Sequence, residues 1–366
     1  MSTFVGVRPL CAAIAVSLLL AAGSSRAEVC APVAGPSSST ASGNAAACGH
    51  LNTATGLWTS AFGNSNTVTG SDSNAHGQGN TARGGVFNNA FGGWNEATGG
   101  RASAFGAFNV ASGFRASAFG LDNTAGGEQG SAFGHANEAA GDDSSAFGSS
   151  NTASGGESTA AGFENRASGE RSTALGRRNF ATEQGATAVG IDNNAGGQFA
   201  SAFGSGNVAS GFTSIALGSS NASSASRSVA VGAGNDATAG AASAIGTDNA
   251  ASGMYSNALG RLNVASGQNA SAVGNGNQAG GSDANAFGRA NLASGAGSNA
   301  FGADNFATAT DSLAVGNFAN ARAQRSTAVG SYVHADGVNA VAMGGYLDAD
   351  GDGFPGAATV DTNGTA

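Results

Sequence analysis

Large apolar residues recur along this chain at one interval. Counting from the glycine that ends segments such as Ala61-Phe62-Gly63, one pattern returns every 14 residues from Gly49 to Gly344, in 22 copies. A single interval of 15 residues, between Gly77 and Gly92, contains Gly84-Gly85, where a bulge can absorb an extra residue without loss of register. A phase kept over about 300 residues indicates an internal repeat.

Each position of the repeat has its own chemistry. The residue two before the repeat glycine is Ala in every copy, and the residue immediately before it is Phe, Leu, Val, Ile or Met in 19 copies, the exceptions being Cys48, His76 and Ala161. Asn follows three residues after the glycine in 19 copies, Ala five after in 20, and Gly seven after in 17. No Asp, Glu or Arg falls at the repeat glycine or in the four residues before it.

Fourteen residues with two Gly/Asn turn positions are too few for a helical repeat, which needs about 33 or more. They fit one coil of a parallel β-solenoid: two strands of about five residues, each followed by a tight turn in which Gly and Asn accept a left-handed backbone. Stacked coils place equivalent residues about 4.8 Å apart, so 22 coils predict a rod of roughly 105 Å. The Asn row is predicted to form a structural ladder along one turn.

A coil of 14 residues has only a thin interior. The two Ala positions, two before and five after the repeat glycine, are therefore predicted to point inward. Alternation along the strand then turns the residue before the repeat glycine outward. We call this outward row the apolar stripe. Its phenylalanines are Phe62, Phe91, Phe105, Phe119, Phe133, Phe147, Phe203, Phe287 and Phe301.

An apolar stripe along a whole rod is not expected to face water on a monomer. The simplest cover is the same stripe on other copies of the chain. The pattern therefore predicts parallel homo-oligomers about a cyclic axis, with the stripe as the interface.

The unit S-x-A-[FLVI]-G-x-x-N-x-A, as in residues 172–181 and in Ser228-Val229-Ala230-Val231-Gly232, closely resembles the head repeat of YadA-type trimeric autotransporter adhesins. The resemblance covers about Cys48 to Asp350. It implies a left-handed parallel β-roll, a homotrimer with the stripe phenylalanines at its interface, and an outer-membrane rod that binds host matrix or other cells. The stalk and membrane strands of that family are not visible after Gly344, so a head-only secreted protein and an incomplete gene product both stay open.

Composition narrows the function classes. Leu, Ile, Val and Phe make up only about 16% of the chain against 62 Gly, which argues against an ordinary large core. The net charge is -9 and no lysine is present, so nucleic acid and polybasic membrane contacts are not expected as partners.

The chain divides into four predicted segments. Residues 1–27 are predicted to be a signal peptide for export to the cell surface or the extracellular space, because Arg8 precedes an apolar stretch and a small-residue cleavage site follows it. Residues 28–47 are a leader or cap, 48–350 the head repeats, and 351–366 a flexible acidic tail. No transmembrane anchor is predicted. Cys30 and Cys48 are candidates for a disulfide in an oxidising compartment, the alternative being two unpaired thiols.

One candidate metal site lies near the C-terminus. Asp348, Asp350 and Asp352 precede Gly353 at the spacing of a calcium loop, although Thr359 stands where such a loop has its bidentate Glu. The alternative is an acidic tail without a ligand. No other cofactor is expected.

Catalysis is not predicted. The four histidines are scattered, and no HExxH, GxSxG or paired CxxC motif occurs. Adhesion is the leading function, a structural or spacer element of an envelope or biofilm is the alternative, and ice binding is disfavoured because Thr is sporadic four residues after the repeat glycine. Trp58 and Trp94, near the first coils, are assigned to packing in preference to a ligand patch.

Overall fold

The computed structural model describes residues 28–30 and 39–345, and the described chain is built from strands in two parallel sheets. Sheet A contains 23 strands, most of five residues. Sheet B contains 22 strands of two residues each. A strand of sheet A, a turn, a strand of sheet B and a second turn make one coil.

The strands of sheet A are β1 (Glu28–Cys30), β3 (Ala46–His50), β5 (Ser60–Asn64), β7 (Asn74–Gln78), β9 (Asn89–Gly93), β11 (Ser103–Ala107), β13 (Ser117–Leu121), β15 (Ser131–His135), β17 (Ser145–Ser149), β19 (Thr159–Phe163), β21 (Thr173–Arg177), β23 (Thr187–Ile191), β25 (Ser201–Ser205), β27 (Ile215–Ser219), β29 (Val229–Ala233), β31 (Ser243–Thr247), β33 (Asn257–Arg261), β35 (Ser271–Asn275), β37 (Asn285–Arg289), β39 (Asn299–Ala303), β41 (Leu313–Asn317), β43 (Thr327–Ser331) and β45 (Val341–Gly344).

The strands of sheet B are β2 (Thr40–Ala41), β4 (Thr53–Ala54), β6 (Thr67–Val68), β8 (Thr81–Ala82), β10 (Glu96–Ala97), β12 (Val110–Ala111), β14 (Thr124–Ala125), β16 (Glu138–Ala139), β18 (Thr152–Ala153), β20 (Arg166–Ala167), β22 (Phe180–Ala181), β24 (Asn194–Ala195), β26 (Val208–Ala209), β28 (Ala222–Ser223), β30 (Asp236–Ala237), β32 (Ala250–Ala251), β34 (Val264–Ala265), β36 (Gln278–Ala279), β38 (Leu292–Ala293), β40 (Phe306–Ala307), β42 (Asn320–Ala321) and β44 (His334–Ala335).

Every strand pairs in parallel with the equivalent strand of the next coil, and equivalent residues face one another. Between β11 and β13, for example, Phe105 pairs with Phe119 and Gly106 with Gly120. The register holds across the 15-residue coil as well, since β7 and β9 align Gly77 with Gly92. The parallel β-solenoid of about 22 coils predicted from the repeat is therefore confirmed.

The second strand of each coil is shorter than predicted. It spans two residues instead of about five, as in β24 (Asn194–Ala195). The turn that follows takes the remaining residues, because its backbone passes through a left-handed residue such as Phe199, at φ 56°, which cannot continue a strand.

The first coil begins before the predicted repeats. Strands β1 and β2 lie in the segment assigned to the leader, and β1 pairs in parallel with β3 so that Cys30 aligns with Cys48. The leader therefore contributes strands to both sheets. Residues 1–27, where the signal peptide is predicted, and the tail from residue 346 onward lie outside the described residues.

Alanine fills the interior, as the coil size predicts. Ala188 and Ala195, at the two inward positions of one coil, are both fully buried, and their equivalents in neighbouring coils are buried in the same way. The largest fully buried side chains are Val68 and the Asn row. The slot between the sheets has no room for a layer of Leu or Phe.

The Asn ladder closes one turn of the coil. Nδ2 of Asn193 lies 3.0 Å from the carbonyl oxygen of Val189 and 2.8 Å from that of Gly204 in the next coil. Its Oδ1 accepts from the backbone N–H and from Nδ2 of Asn207, at 3.1 and 2.9 Å. Buried backbone groups at the turn are thereby satisfied, which is the structural role predicted for the row.

The repeat glycine lies where a side chain cannot be placed. Gly190 has φ +121°, and a Cβ built on it would lie 2.0 Å from the carbonyl oxygen of Gly204. The close contact between coils therefore excludes every other residue type, so this position is glycine in every copy of the repeat.

Candidate functional site

The outer face of sheet A carries the apolar stripe. The rings of Phe91, Phe105, Phe119 and Phe133 stack in succession, with centroids 4.9, 4.8 and 4.9 Å apart and planes within 8°. Phe147 continues the stack at 5.5 Å. The outward direction predicted for these side chains is confirmed, because in the single chain they are between part-buried and exposed while the alanines beside them are buried.

His76 interrupts the stripe near its N-terminal end. Its ring lies 4.9 Å from the Phe62 ring and 4.7 Å from the Phe91 ring, and its Nε2 is 2.8 Å from Oγ of Ser60. Burial against these neighbours lowers the pKa of His76 below its ordinary value of 6.5. The imidazole therefore favours the neutral form, which suits a position between aromatic rings.

A second surface follows the turn that leads from sheet B back to sheet A. We call it the outer corner: the two residues eight and nine positions after each repeat glycine, or nine and ten in the 15-residue coil. The second residue of each pair has a positive φ, and its N–H donates to the carbonyl oxygen of the first residue in the preceding coil, as Arg227 does to Phe212 at 2.8 Å. The backbone here is constant from coil to coil, whereas the side chains are not.

Large side chains at the outer corner are well exposed, although bulky residues at positive φ are uncommon. The exposed fraction of Trp58 is 68% and that of Tyr255 is 54%. Other large apolar side chains exposed on this corner are Leu57, Val86, Phe87, Phe114, Phe199, Phe212, Met254 and Val338. Trp58 therefore does not pack as the sequence suggested, and Trp94, exposed on the opposite turn, lies over Gly79.

Charge divides the outer corner into zones. In the first coils Arg101 lies 6.0 Å from the ring centroids of Phe87 and Phe114, and Arg115 lies 5.0 Å from that of Phe114, distances typical of cation–π contacts. An acidic zone follows from Glu128 to Glu170.

Arg171 ends the acidic zone. Its Nε donates to Oε2 of Glu157 at 3.1 Å. This hydrogen bond, and then the charge of Arg171, lowers the pKa of Glu157. Both side chains are solvent-exposed, so the pair contributes little to stability.

Two predicted sites depend on residues at the ends of the chain. Cys48 is disulfide-bonded. The pairing with Cys30 stays a prediction, in agreement with the register that aligns the two residues. The candidate calcium ligands Asp348, Asp350 and Asp352 lie outside the described residues, and within residues 39–345 no cluster of His, Cys, Asp or Glu could hold a metal ion.

Sequence reasoning found the stripe and missed the outer corner. The stripe has one chemical character in nearly every coil, which a repeat count detects. The corner differs in each coil, so averaging over copies conceals it. Comparing the residues eight and nine after the repeat glycine from one copy to the next would have shown that Arg, aromatic and acidic residues alternate at these two positions.

The described chain is thus a long stack of parallel coils with an outward-facing apolar stripe on sheet A and a variable, exposed outer corner. Five segments of the chain match the family model of the YadA head domain repeat: residues 111–137, 125–151, 153–179, 209–235 and 307–332, together about a third of the chain. No curated protein matches the chain. The chain contains a YadA-type head-repeat region.

This match supports an adhesin-like surface protein and, for the family in general, trimeric assembly. Among the described residues, no helix has the length and apolar character needed to span a membrane.

Proposed function

We propose that this chain is the head of a homotrimeric adhesin, exposed at the cell surface or secreted, that attaches to extracellular matrix or to other cells. The observation that carries the proposal is the exposed outer corner, whose side chains vary on a constant backbone along a YadA-type head-repeat region. Many weak contacts along such a rod add up to firm attachment when several engage together.

Trimer formation is part of the proposal. Stacked rings such as Phe105 and Phe119 on the outer face of sheet A would be covered by the same residues of two further copies about a threefold axis. Light scattering of the mature protein at micromolar concentration is expected to give a trimer. A monomer at that concentration would overturn this part of the proposal.

Adhesion is tested by solid-phase binding of the purified oligomer to collagen, fibronectin, laminin and whole bacterial cells. Saturable binding to at least one of these surfaces is expected. An oligomer that binds none of them contradicts adhesion and supports the structural or spacer function instead.

We also propose that Cys30 is the partner of Cys48, which would tie the first strand to the second coil. Mass spectrometry of a non-reduced digest is expected to show the peptides of residues 28–30 and 46–50 linked. Alkylation of both Cys30 and Cys48 in the intact, non-reduced protein would contradict the pairing.

A further inference from the structure

We propose that the outer corner contains a binding notch for a carboxylate-bearing sugar ring, formed where two small residues lie between larger ones. The notch is a cleft of about 190 Å³ lined by Ser226, Arg227, Gly240, Ala241, Met254 and Tyr255. The inference deepens the proposed adhesive function by naming a ligand class, and it rests on that function for its biological meaning.

The repeat itself builds the notch. Arg227, Ala241 and Tyr255 are equivalent positions of three successive coils, all at φ between 54° and 59°. The N–H of Ala241 donates to the Ser226 carbonyl at 2.9 Å, and the N–H of Tyr255 to the Gly240 carbonyl at 3.0 Å. The corner backbone is thus regular, and the gap arises only because the middle coil lacks large side chains.

Comparison with other small residues on the corner shows that this gap stays open. Gly100 holds the same repeat position as Gly240, and a Cβ placed on it would lie 3.5 Å from the Phe114 ring of the next coil. A Cβ placed on Gly156, again at the same position, would lie 3.9 Å from the carbonyl oxygen of Asp142. A Cβ placed on Gly240 has no atom within 4 Å. The Met254 side chain, at the same position one coil further on, does not lie against Gly240 as the Phe114 ring lies against Gly100.

The width of the notch suits a saturated ring. Two coil steps of about 4.8 Å place the backbones of Arg227 and Tyr255 about 9.6 Å apart. A ligand atom in van der Waals contact with a wall lies about 3.5–4 Å from it, so contact with both walls accounts for about 7–8 Å of this separation. The remaining space matches the pucker and substituents of a pyranose better than a thin aromatic ring.

The walls supply the chemistry for an acidic sugar. Tyr255 and Met254 are more than half exposed and offer an apolar face for the C–H groups of a sugar ring. Within residues 39–345 the Arg227 guanidinium has no ion pair, side-chain hydrogen bond or aromatic contact, unlike Arg171, which pairs with Glu157. A free guanidinium matches the two oxygens of a carboxylate.

The electrostatic surroundings favour an anion at this point of an otherwise acidic protein. Along the outer corner from Gln184 to Asn269, Arg227 is the sole charged residue. The acidic zone that ends at Glu170 lies several coils away. A carboxylate at the notch therefore meets one cation and no acidic side chain of the same corner.

The test measures binding of sugars to the full chain by titration calorimetry. The probes are 3′-sialyllactose, to represent host glycans, and hexagalacturonate, to represent uronic-acid polysaccharides, with lactose and maltohexaose as neutral controls. Saturable binding of at least one acidic probe, and at least tenfold weaker binding of its neutral counterpart, is expected. Which acidic probe binds more tightly distinguishes the two sources.

Three variants locate the site with residues that other coils already carry on this corner. Arg227→Gln copies Gln129, Tyr255→Asn copies Asn269, and Gly240→Gln copies Gln268 and fills the notch. Each is expected to weaken binding of the acidic probe by about tenfold or more, because Arg227→Gln removes one charge-assisted contact, Tyr255→Asn removes one apolar wall and Gly240→Gln occupies the space of the ligand. The matched control Gly156→Gln, on the same corner outside the notch, is expected to bind like the parent chain.

Unchanged circular dichroism and oligomer size in each variant exclude unfolding as the cause of lost binding. Binding that persists in Arg227→Gln and Gly240→Gln, or the absence of acidic-sugar binding in the parent chain, overturns the notch. If the parent chain binds matrix or cells and Gly240→Gln binds them equally, while no acidic sugar binds, the notch fails and adhesion stands.

Discussion

The inside of the coil and its outer corner follow opposite rules on one backbone. Inside, Ala188, Asn193 and Gly190 have equivalents of the same type in almost every coil, and each is held by contacts to the next coil. At the outer corner the backbone is equally regular, yet the side chain is Arg in one coil, Tyr in another and Asp in a third.

The difference shows why residue types are restricted inside the coil and vary at the outer corner. Close approach of neighbouring coils allows only small residues inside, and buried polar groups must be satisfied by their neighbours. The corner side chains point to solvent, so the stacking places few limits on their type. The rod can thus change its surface without changing its fold, which is the general advantage of a repeat architecture.

The largest expected effect comes from adding one methyl group inside the coil. Gly190→Ala would bring Cβ to within 2.0 Å of the Gly204 carbonyl oxygen, at φ +121°, and is expected to cost about 3 kcal/mol or more through strain and displaced strands. Thermal unfolding followed by circular dichroism measures the loss.

A glycine on the first turn of the next coil provides the control. Gly206 also has positive φ, but a Cβ there has its nearest neighbour at 3.7 Å, and the equivalent position of the next coil is Ser220. Gly206→Ser is expected to change stability by less than about 0.5 kcal/mol. Equal destabilisation by both glycine substitutions would contradict the distinction between interior and turn.

The next effect concerns assembly rather than folding. Phe119→Asp places a charge in the stack between Phe105 and Phe133 and is expected to dissociate the oligomer while leaving distant coils folded. Light scattering and circular dichroism, measured together, separate these outcomes.

Phe108→Asp serves as the matched control, because Phe108 is exposed at a turn and Asp122 occupies the equivalent position of the next coil. It is expected to leave the oligomer intact. A trimer that survives Phe119→Asp is incompatible with the apolar stripe as the interface.

A smaller effect is expected from pH at the N-terminal end of the stripe. Because burial lowers the pKa of His76 in the folded chain, the unfolded chain binds the proton more tightly. The contribution of neutral His76 to the free energy of unfolding is complete above about pH 6.5, and it decreases as the pH falls towards the lowered pKa of His76 in the folded chain.

His76→Phe restores the residue type of the neighbouring coils. We expect it to reduce the difference between the unfolding midpoints at pH 7.5 and pH 5. An identical pH dependence in both proteins would show that His76 does not contribute.

The smallest effect tests a polar group inside the coil. The Oγ of Ser158 is buried without a hydrogen-bond partner, and equivalent positions in other coils are Ala, as at Ala186 and Ala200. Ser158→Ala is expected to leave stability unchanged or raise it by up to about 1 kcal/mol, since it removes an unsatisfied hydroxyl.

Chemical denaturation is precise enough to measure this change in the free energy of unfolding. Ser228→Ala is the control, because Oγ of Ser228 donates to the Ala225 carbonyl at 2.7 Å. Destabilisation of Ser158→Ala as large as that of Ser228→Ala would mean that the Ser158 hydroxyl is satisfied after all.

Much of the fold follows from local rules that the sequence displays. The interval of 14 residues sets the coil, the Gly84-Gly85 pair absorbs the one extra residue, and the inward Ala and outward Phe positions follow from strand alternation. The length of the second strand could not be predicted, because a left-handed backbone at a bulky residue such as Phe199 contradicts single-residue preference. The hydrogen bonds between coils impose that conformation.

The amino-acid sequence by itself determined the number of coils, their stacking register and which residues lie inside, because these depend on spacing and side-chain size. Only the tertiary structure decided which gaps on the outer corner remain open. Gly100 and Gly240 occupy the same position of the repeat, yet a Cβ on Gly100 would lie 3.5 Å from the Phe114 ring, whereas a Cβ on Gly240 has no atom within 4 Å. That outcome depends on the direction of a side chain from the next coil, which packing in three dimensions selects and spacing along the chain does not.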